Sequence, residues 1–296
     1  MDDVIIVGGS FAGLAAAMQL VRARRKVTVL DTGLNRNRYA SHAHNVLGFD
    51  GTPPGDMLER AREQVAAYPT VKLVQGRAAT VSGEPDDFTI GTAEGENFNA
   101  RRLILSYGIV DEFPDIPGFA ESWGKTVIHC PFCHGYEVAG RRWGLLFSSP
   151  LSLHATSLYA DWTDDITLIL DGNDIPDEER HKLEKRGVKV HDGKLARIHH
   201  DNGAVSGATL EDSSEIGLDA LYAHPRNRPS ANLHEQLGLD TKETPTGVMV
   251  EVDERQKTSR DGVYAAGDLT NGMHSITVAN YSGSMAAMGS QQSMLV

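Results

Sequence analysis

The chain has 296 residues, which at about 150 residues per domain points to two domains. Its 28 Lys+Arg against 40 Asp+Glu leave a formal charge of −12, which argues against nucleic acid or an anionic membrane as main partner, since both need clustered positive charge. Hydrophobic residues at 40% and charged residues at 23% are globular proportions, and 2 cysteines are too few for a secreted scaffold stapled by disulfides.

The acidic start, Met1-Asp2-Asp3, lacks the basic stretch and long apolar run of a signal peptide. No apolar run approaches the roughly 18 residues of a membrane span. A soluble, cytoplasmic protein in a reducing compartment is therefore expected.

Residues 4–7 (VIIV) form a fully apolar run, the pattern of a strand buried on both faces of a parallel sheet. GGSFAG follows at 8–13. Residues 14–24 carry an Ala- and Leu-rich helical pattern, and residues 26–30 (KVTVL) make a second strand closed by Asp31. Strand, glycine turn, helix, strand and acid form the opening βαβ of a dinucleotide-binding domain. The G-x-G-x-x-G positions fall on Gly8, Ser10 and Gly13, with Phe11 and Ala12 between them. The small Ser10 still lets a pyrophosphate approach the helix N-terminus. Asp31 stands where a carboxylate accepts hydrogen bonds from ribose hydroxyls. Taken alone, the motif also fits an ordinary βα turn without a ligand.

Residues 41–55, rich in His, Gly and Pro, read as a functional loop in which His42 and His44 are candidates to approach a site. Residues 71–73 and 88–90 read as strands of a meander. Residues 103–105 (LIL) are a buried strand running into Ser106, Tyr107 and Gly108, and IPG at 116–118 reads as a linker. A second α/β stretch spans 125–239. A last strand, 262–266, leads into Gly267 and Asp268, and 276–287 reads as a helix. His181, His191, His199 and His200 and the acidic runs at 86–87 and 177–179 read as solvated surface, and Arg226 and Arg228, which could bind an anion, read as a surface loop.

The sharpest feature is HCPFCHGYE at 129–137. Two thiols spaced C-x-x-C on a helical turn close a small disulfide ring, so that one exchanges with a substrate and the other resolves the mixed disulfide. A helix N-terminus or an imidazolium raises the thiolate fraction, and His134, directly after Cys133, is placed to donate or accept a proton. Half a zinc site with His129 or His134, a structural disulfide and a thioredoxin-fold domain compete with this reading. A closed zinc site draws on two ligand clusters and no second cysteine pair exists, so no metal is expected. The complete βαβ upstream fits a different architecture from thioredoxin.

Together these segments resemble, from end to end, the low-molecular-weight thioredoxin reductases, which are FAD-dependent pyridine nucleotide–disulfide oxidoreductases. The resemblance implies an α/β fold of two Rossmann-like domains, the second inserted in the first. Residues 1–116 plus 242–296 would bind FAD, and residues 117–241 would form the NAD(P)H-type domain carrying Cys130 and Cys133. By the family pattern Gly8, Ser10, Phe11, Ala12 and Gly13 form the FAD fingerprint. Asn45 and Gly48 lie near the flavin, Gly108 ends an Ala-Thr-Gly-like turn, and Gly267 with Asp268 forms a second FAD motif reaching the ribityl chain. Ser275 and Ile276, after His274, open a helix facing the flavin pyrimidine, where a positive helix end stabilises reduced flavin. Cys133 would exchange electrons with the flavin and Cys130 with the substrate. Homodimers are the family's usual assembly.

Departures from the pattern redirect the expectation. The turn after the expected strand 143–147 reads SSPLSL, placing Ser148, Pro150 and Leu153 where the NADPH motif has Gly or Ala. Pro150 has no N–H for a phosphate. After the expected strand 166–170 the family's basic cluster is replaced by DGND at 171–174, which repels a 2′-phosphate. Pro225 replaces a family glycine, and His134 stands where thioredoxin reductases carry Asp. The run CPFCHG resembles instead the dithiol oxidases that close disulfides in toxins such as gliotoxin, which pass electrons from flavin to oxygen without NADPH. The expected function is an FAD-dependent thiol–disulfide oxidoreductase with NADPH doubtful. Its substrate would be a dithiol or disulfide, small molecule or thioredoxin-like protein, and its electron partner oxygen or another redox carrier. An NADPH-dependent thioredoxin reductase, a non-catalytic flavin-binding redox sensor and a flavin-free zinc protein are the alternatives.

Overall fold

Continuous apolar runs alternating with Ala-rich stretches wind the start of the chain into parallel β–α–β units. The structure, a computed structural model, describes residues 1–295. β1 (Asp2–Val7), α1 (Phe11–Arg22), β2 (Val27–Asp31), α2 (Pro54–Ala66) and β3 (Val71–Gln75) come first, with β1 parallel to β2 and β2 to β3. The VIIV run is apolar throughout because both faces are covered: Val4 and Ile6 join one core cluster, Ile5 and Val7 the other. Fully burying such side chains contributes about 1.5–3 kcal/mol each.

β4 (Ala78–Glu84), β5 (Asp87–Thr92) and the long β6 (Asn97–Leu105) form an antiparallel meander whose last strand continues parallel beside β1. The segment at 71–73, read in the sequence as part of a meander, is instead the parallel edge strand β3. The reason is α2, whose Pro54 start, Asp56 in the first turn and buried Met57, Leu58 and Val65 build a crossover helix just after the His-rich loop.

The chain continues through β7 (Ile109–Glu112), α3 (Phe119–Ser122), β8 (Val127–Ile128), α4 (Pro131–His134), β9 (Trp143–Leu146) and α5 (Leu151–Tyr159). Then come β10 (Ile166–Ile169), α6 (Asp177–Lys185), β11 (Lys189–His191), β12 (Leu195–Asp201), β13 (Ala204–Leu210), β14 (Glu215–Ile216) and β15 (Ala220–Tyr222). β11-β10-β9-β15-β8 is a five-stranded parallel sheet, and β12-β13-β14 an antiparallel one. His199 and His200 sit half-buried in the β12–β13 hairpin, His199 bonded to Thr209, rather than on a solvated face. The last elements are β16 (Arg226–Pro229), α7 (Leu233–Gln236), β17 (Thr241–Thr244), β18 (Gly247–Val250), β19 (Val263–Ala265) and α8 (Ile276–Gln292). Arg226 and Arg228 are exposed, as read from the sequence, but lie on a strand rather than in a loop. β19 runs parallel to β6, sharing with β5 the edge opposite β1.

Two compact units result. The first contains residues 1–38, 54–111 and 227 onward, and the second residues 39–53 and 112–226. The cuts differ from 116/117 and 241/242 for local reasons. Ser230 donates to the Tyr107 carbonyl at 2.6 Å and Gln236 to the Ala79 carbonyl at 2.9 Å, tying 227–241 to the first unit. Ile198 N–H donates to the Pro117 carbonyl at 2.9 Å, so the IPG segment is built into the second unit rather than free as a linker.

α1 and α8 approach closely through small residues, Ala12, Ala286 and Ala287 among them. A Cβ on Gly283 would stand 2.0 Å from the Ala12 carbonyl oxygen. Gly→Ala inside a helix gains up to about 1 kcal/mol of propensity, whereas overpacking costs about 1–3 kcal/mol and at times more. Backbone cannot yield as a flexible side chain can, so packing wins and Gly283→Ala is expected to lower Tm by several degrees in thermal unfolding. An increase in Tm would contradict this packing.

Candidate functional site

Pro131 starts the single helical turn α4 in the second unit, with Cys130 at its N-cap in extended conformation. The turn brings Cys130 and Cys133 to a Cα–Cα distance of 5.3 Å, and the two sulfurs are joined as a disulfide. No further cysteine exists in the chain. Both are half-buried, whereas Phe132 between them and Tyr136 beyond are exposed, at 57% and 86%. Gly135 is tightly enclosed: a Cβ there would meet the Pro131 carbonyl at 2.5 Å.

His134 follows Cys133 on the same turn. Burial holds its imidazole below the ordinary histidine value, against the favourable charge of Glu137 and together with the opposing charge of His44. The neutral ring, able to accept a proton, is therefore the form present near pH 7. His44 sits 3.5 Å from Glu137 through Nε2 and 3.6 Å from Asp50 through Nδ1. Of the two loop histidines, His44 thus joins the neighbourhood of the cysteines, while His42 is exposed, its ring centroid 6.5 Å from that of His44. His224, which the sequence does not single out, hydrogen-bonds the backbone of His129 directly before Cys130, and burial pushes its imidazole down. Among the described residues no group of three or more His, Cys, Asp or Glu is arranged to hold a metal ion.

The glycine-rich turn belongs to the first unit. Gly8, at φ +105°, occupies the left-handed region, and a Cβ on Gly13 would fall 1.8 Å from the Gly8 carbonyl oxygen. Only glycine at both places lets the turn fold under the helix. Ser106, at the end of β6, locks it by donating its hydroxyl to the carbonyls of Val7 and Gly8 at 3.1 and 2.9 Å. Ser10 is the N-cap of α1 but makes no side-chain cap bond, and no acid stands in the first turn. The amides around Phe11, Ala12 and Gly13 are thus oriented for an anion rather than for a side chain. This cradle fits a nucleotide pyrophosphate.

Asp31, at the end of β2, is paired with Arg62 of α2, Nη2 to Oδ2 at 3.0 Å, and the same nitrogen lies 3.4 Å from the Gly9 carbonyl. Gly108 accepts at its carbonyl from Ser230 N–H. Gly267 donates its N–H to Ser282 Oγ at 2.9 Å, and Asp268 bonds Arg36. Ser275 caps α8 by accepting from Val278 N–H at 3.1 Å, leaving Ile276 in the first turn. These residues share the first unit, at the carboxyl ends of β1, β2, β6 and β19 and the start of α8. Asn45 differs: it groups with the second unit, exposed, its N–H bonded to Asp50 at 2.8 Å.

The βα turn after β9 has another character. Its Ser148 N–H donates to Ser152 Oγ at 3.2 Å, and Pro150 is the N-cap of α5. Leu153 packs against the core of the second unit. At the end of β10, Asp171 accepts from Leu195 N–H at 2.9 Å, and the stem of Lys194 lies against Gly172. Ser148 N–H is thus engaged within the turn, and Pro150 has no N–H to offer a phosphate.

No helix among the described residues is long and apolar enough to cross a membrane. The profile of the family described as pyridine nucleotide-disulphide oxidoreductase matches residues 2–283. Thioredoxin reductase tcpT of Claviceps purpurea is 30% identical over 314 residues, covering 99% of this chain and 94% of the relative. Thioredoxin reductase sirT of Leptosphaeria maculans is 30% identical over 304 residues, covering 97% and 92%. Among solved structures, an oxidoreductase from Agrobacterium tumefaciens is similar at TM-score 0.94 and 37% identity, covering 99% of this chain and 98% of the other.

Proposed function

We infer that this chain, which belongs to the pyridine nucleotide-disulphide oxidoreductase family, is an FAD-dependent dithiol oxidase that works through Cys130 and Cys133 and does not draw electrons from NADPH. The observation that carries this reading is the Cys130–Cys133 disulfide with a neutral, half-buried His134 on the same helical turn.

A thiolate of the substrate attacks Cys130 Sγ, forming a mixed disulfide and releasing Cys133 as thiolate. The second substrate thiol then displaces Cys130, and the substrate leaves as a disulfide. The substrate has lost two electrons and two protons, and the enzyme pair has gained the two electrons. His134 takes a proton from the attacking thiol and returns it to a leaving thiolate. Gly8, Ser10, Phe11, Ala12, Gly13, Asp268 and Ser275 would hold FAD, which when bound would supply a two-electron acceptor for the reduced pair. The substrate class is a vicinal dithiol, and the relatives' names extend it to thioredoxin-like proteins. The test is anaerobic: dithiothreitol should bleach the flavin absorbance of the purified protein, and oxygen should restore it. A protein that carries flavin but is not bleached by any dithiol would be a redox-inert binder.

His134 gives the reaction a pH signature. Its value lies below 6.5, because burial outweighs Glu137. Dithiol oxidation, which needs the neutral base, is then expected to rise with pH through that value and level off above it, at lower pH than an ordinary histidine would give. His134→Asn should remove this inflection and lower the plateau by about 10²-fold. Glu137→Gln, which removes charge favouring the imidazolium, should move the inflection to lower pH, and His44→Gln should move it up. Unaltered pH–rate profiles in all three variants would rule out His134 as the proton carrier.

A further inference from the structure

We propose that the bridge Asp111–Arg36–Asp268 is a cofactor-positioning and potential-setting device of the first unit. This rests on the reading that the glycine cradle holds a flavin nucleotide. The three residues come from segments that follow β2, β6 and β19, and β1, which carries the glycine turn, is parallel to β2 and β6 in the same sheet. In an open parallel sheet ligands lie outside the carboxyl ends of the strands, so the bridge stands at the ligand edge. Nothing in the hydrophobic pattern marks Arg36.

The geometry is specific. Arg36 donates Nε and Nη2 to the two oxygens of Asp111 at 2.8 and 2.6 Å, and the Asp111 side chain is only 5% exposed. The third arm, Nη1, reaches Asp268 Oδ2 at 3.3 Å, leaving Oδ1 outside the bridge. A planar guanidinium fixed by a two-point fork cannot swing, so its remaining nitrogen sets where the Asp268 carboxylate stands. Oδ1 is then presented to a polyol hydroxyl without Asp268 having to be ordered on binding. The half-buried His274 ring faces Asp268, Arg36 and Asp111, and desolvation holds its value below the ordinary histidine range. The cluster thus carries one positive and two negative groups, 1 − 2 = −1 in formal charge.

That charge acts on any group nearby that becomes more negative on reduction. Replacing Arg36 by glutamine changes the cluster from −1 to −2 and disfavours the reduced form. Asp111→Asn changes it from −1 to 0 and favours it. Both variants break the same fork, so a bridge that merely staples the fold would affect them alike, whereas a potential-setting bridge drives them in opposite directions.

The experiment measures the midpoint potential of the bound flavin and the FAD dissociation constant in holoprotein of each variant. For Arg36→Gln the expectation is a potential lowered by a preference change of about tenfold, equal to about 30 mV for a two-electron couple, and FAD bound about tenfold more weakly. Asp111→Asn is expected to raise the potential. If Arg36→Gln does not retain flavin, Arg36→Lys serves: it keeps the charge and loses the fork, so FAD retention should fall while the potential stays near the unmodified value. Shifts of the same sign in Arg36→Gln and Asp111→Asn, or no shift in either, overturn the proposal. An unmodified protein that neither carries nor takes up FAD would instead overturn the flavin reading beneath it.

Discussion

Cys133→Ser and Cys130→Ser are each expected to reduce steady-state dithiol oxidation by roughly 10³-fold or more, because groups that act as a unit fail as a unit. The chain contains 2 cysteines, and both are in the disulfide. Either replacement leaves a thiol with no partner to resolve a mixed disulfide, and no other sulfhydryl can substitute. The cysteines belong to the second unit and the glycine cradle to the first, so both variants should purify with the flavin content of the unmodified protein. A colourless variant would mean a folding defect, and full turnover in either would end the proposed relay. The two variants also separate the roles. If Cys130 exchanges with the substrate, the Cys130 thiol of Cys133→Ser should react with an aromatic disulfide at least tenfold faster than the Cys133 thiol of Cys130→Ser. The opposite order would exchange the two assignments while leaving the relay intact.

What the sequence makes legible is local. The βαβ start is written in consecutive residues: an apolar run, a glycine turn and an Ala-rich helix. C-x-x-C-H is equally contiguous, which is why Cys130, Cys133 and His134 stand out from the chain by spacing alone. The residues that escape notice are joined by tertiary contacts. Arg36 meets Asp111 across 75 positions and Asp268 across 232. Arg62 meets Asp31 across 31. A charged residue in a loop has no period, so its partner cannot be read from spacing. The meander at 71–73 fails for a related reason: a short apolar run does not state whether its neighbour is antiparallel or parallel, and only the intervening α2 decides. Asp31 is a mixed case. Its place at the strand end is legible, but its pairing with Arg62 is not, and that pairing makes it a partly neutralised acceptor rather than a bare carboxylate.

NADPH is expected to reduce the enzyme at least 10³-fold more slowly than dithiothreitol when each is mixed anaerobically with the purified protein. Three local terms act in the same direction. At the β9–α5 turn, Ser148 N–H is already bonded to Ser152 Oγ, and Pro150 has no N–H, so a pyrophosphate would have to displace one bond and forgo another. Forgoing a charge-assisted bond costs about 1.5–3 kcal/mol, and displacing a neutral one about 0.5–1.5 kcal/mol. Leu153 is half-buried against the core of the second unit, and drawing it out to make room costs part of the roughly 1.5–3 kcal/mol of fully burying a leucine. At the next strand end Asp171 supplies negative charge where a 2′-phosphate would need positive. A like-charge pair at 4 Å costs about 1 kcal/mol in water and about 4 kcal/mol near a protein surface. Lys194 offsets part of this, since its stem lies against Gly172. At mid-range values the two bonds, the part-buried leucine and the like-charge pair together exceed the roughly 4 kcal/mol that separates rates or affinities by 10³-fold. Ser152→Ala frees the Ser148 amide but leaves Pro150, Leu153 and Asp171 in place, so it should not restore reduction by NADPH. Flavin bleached by NADPH at the rate of turnover, in the unmodified chain or in Ser152→Ala, would return the protein to the NADPH-dependent thioredoxin reductases. Fast bleaching by dithiothreitol alone, reversed by oxygen, would leave the dithiol as the electron source.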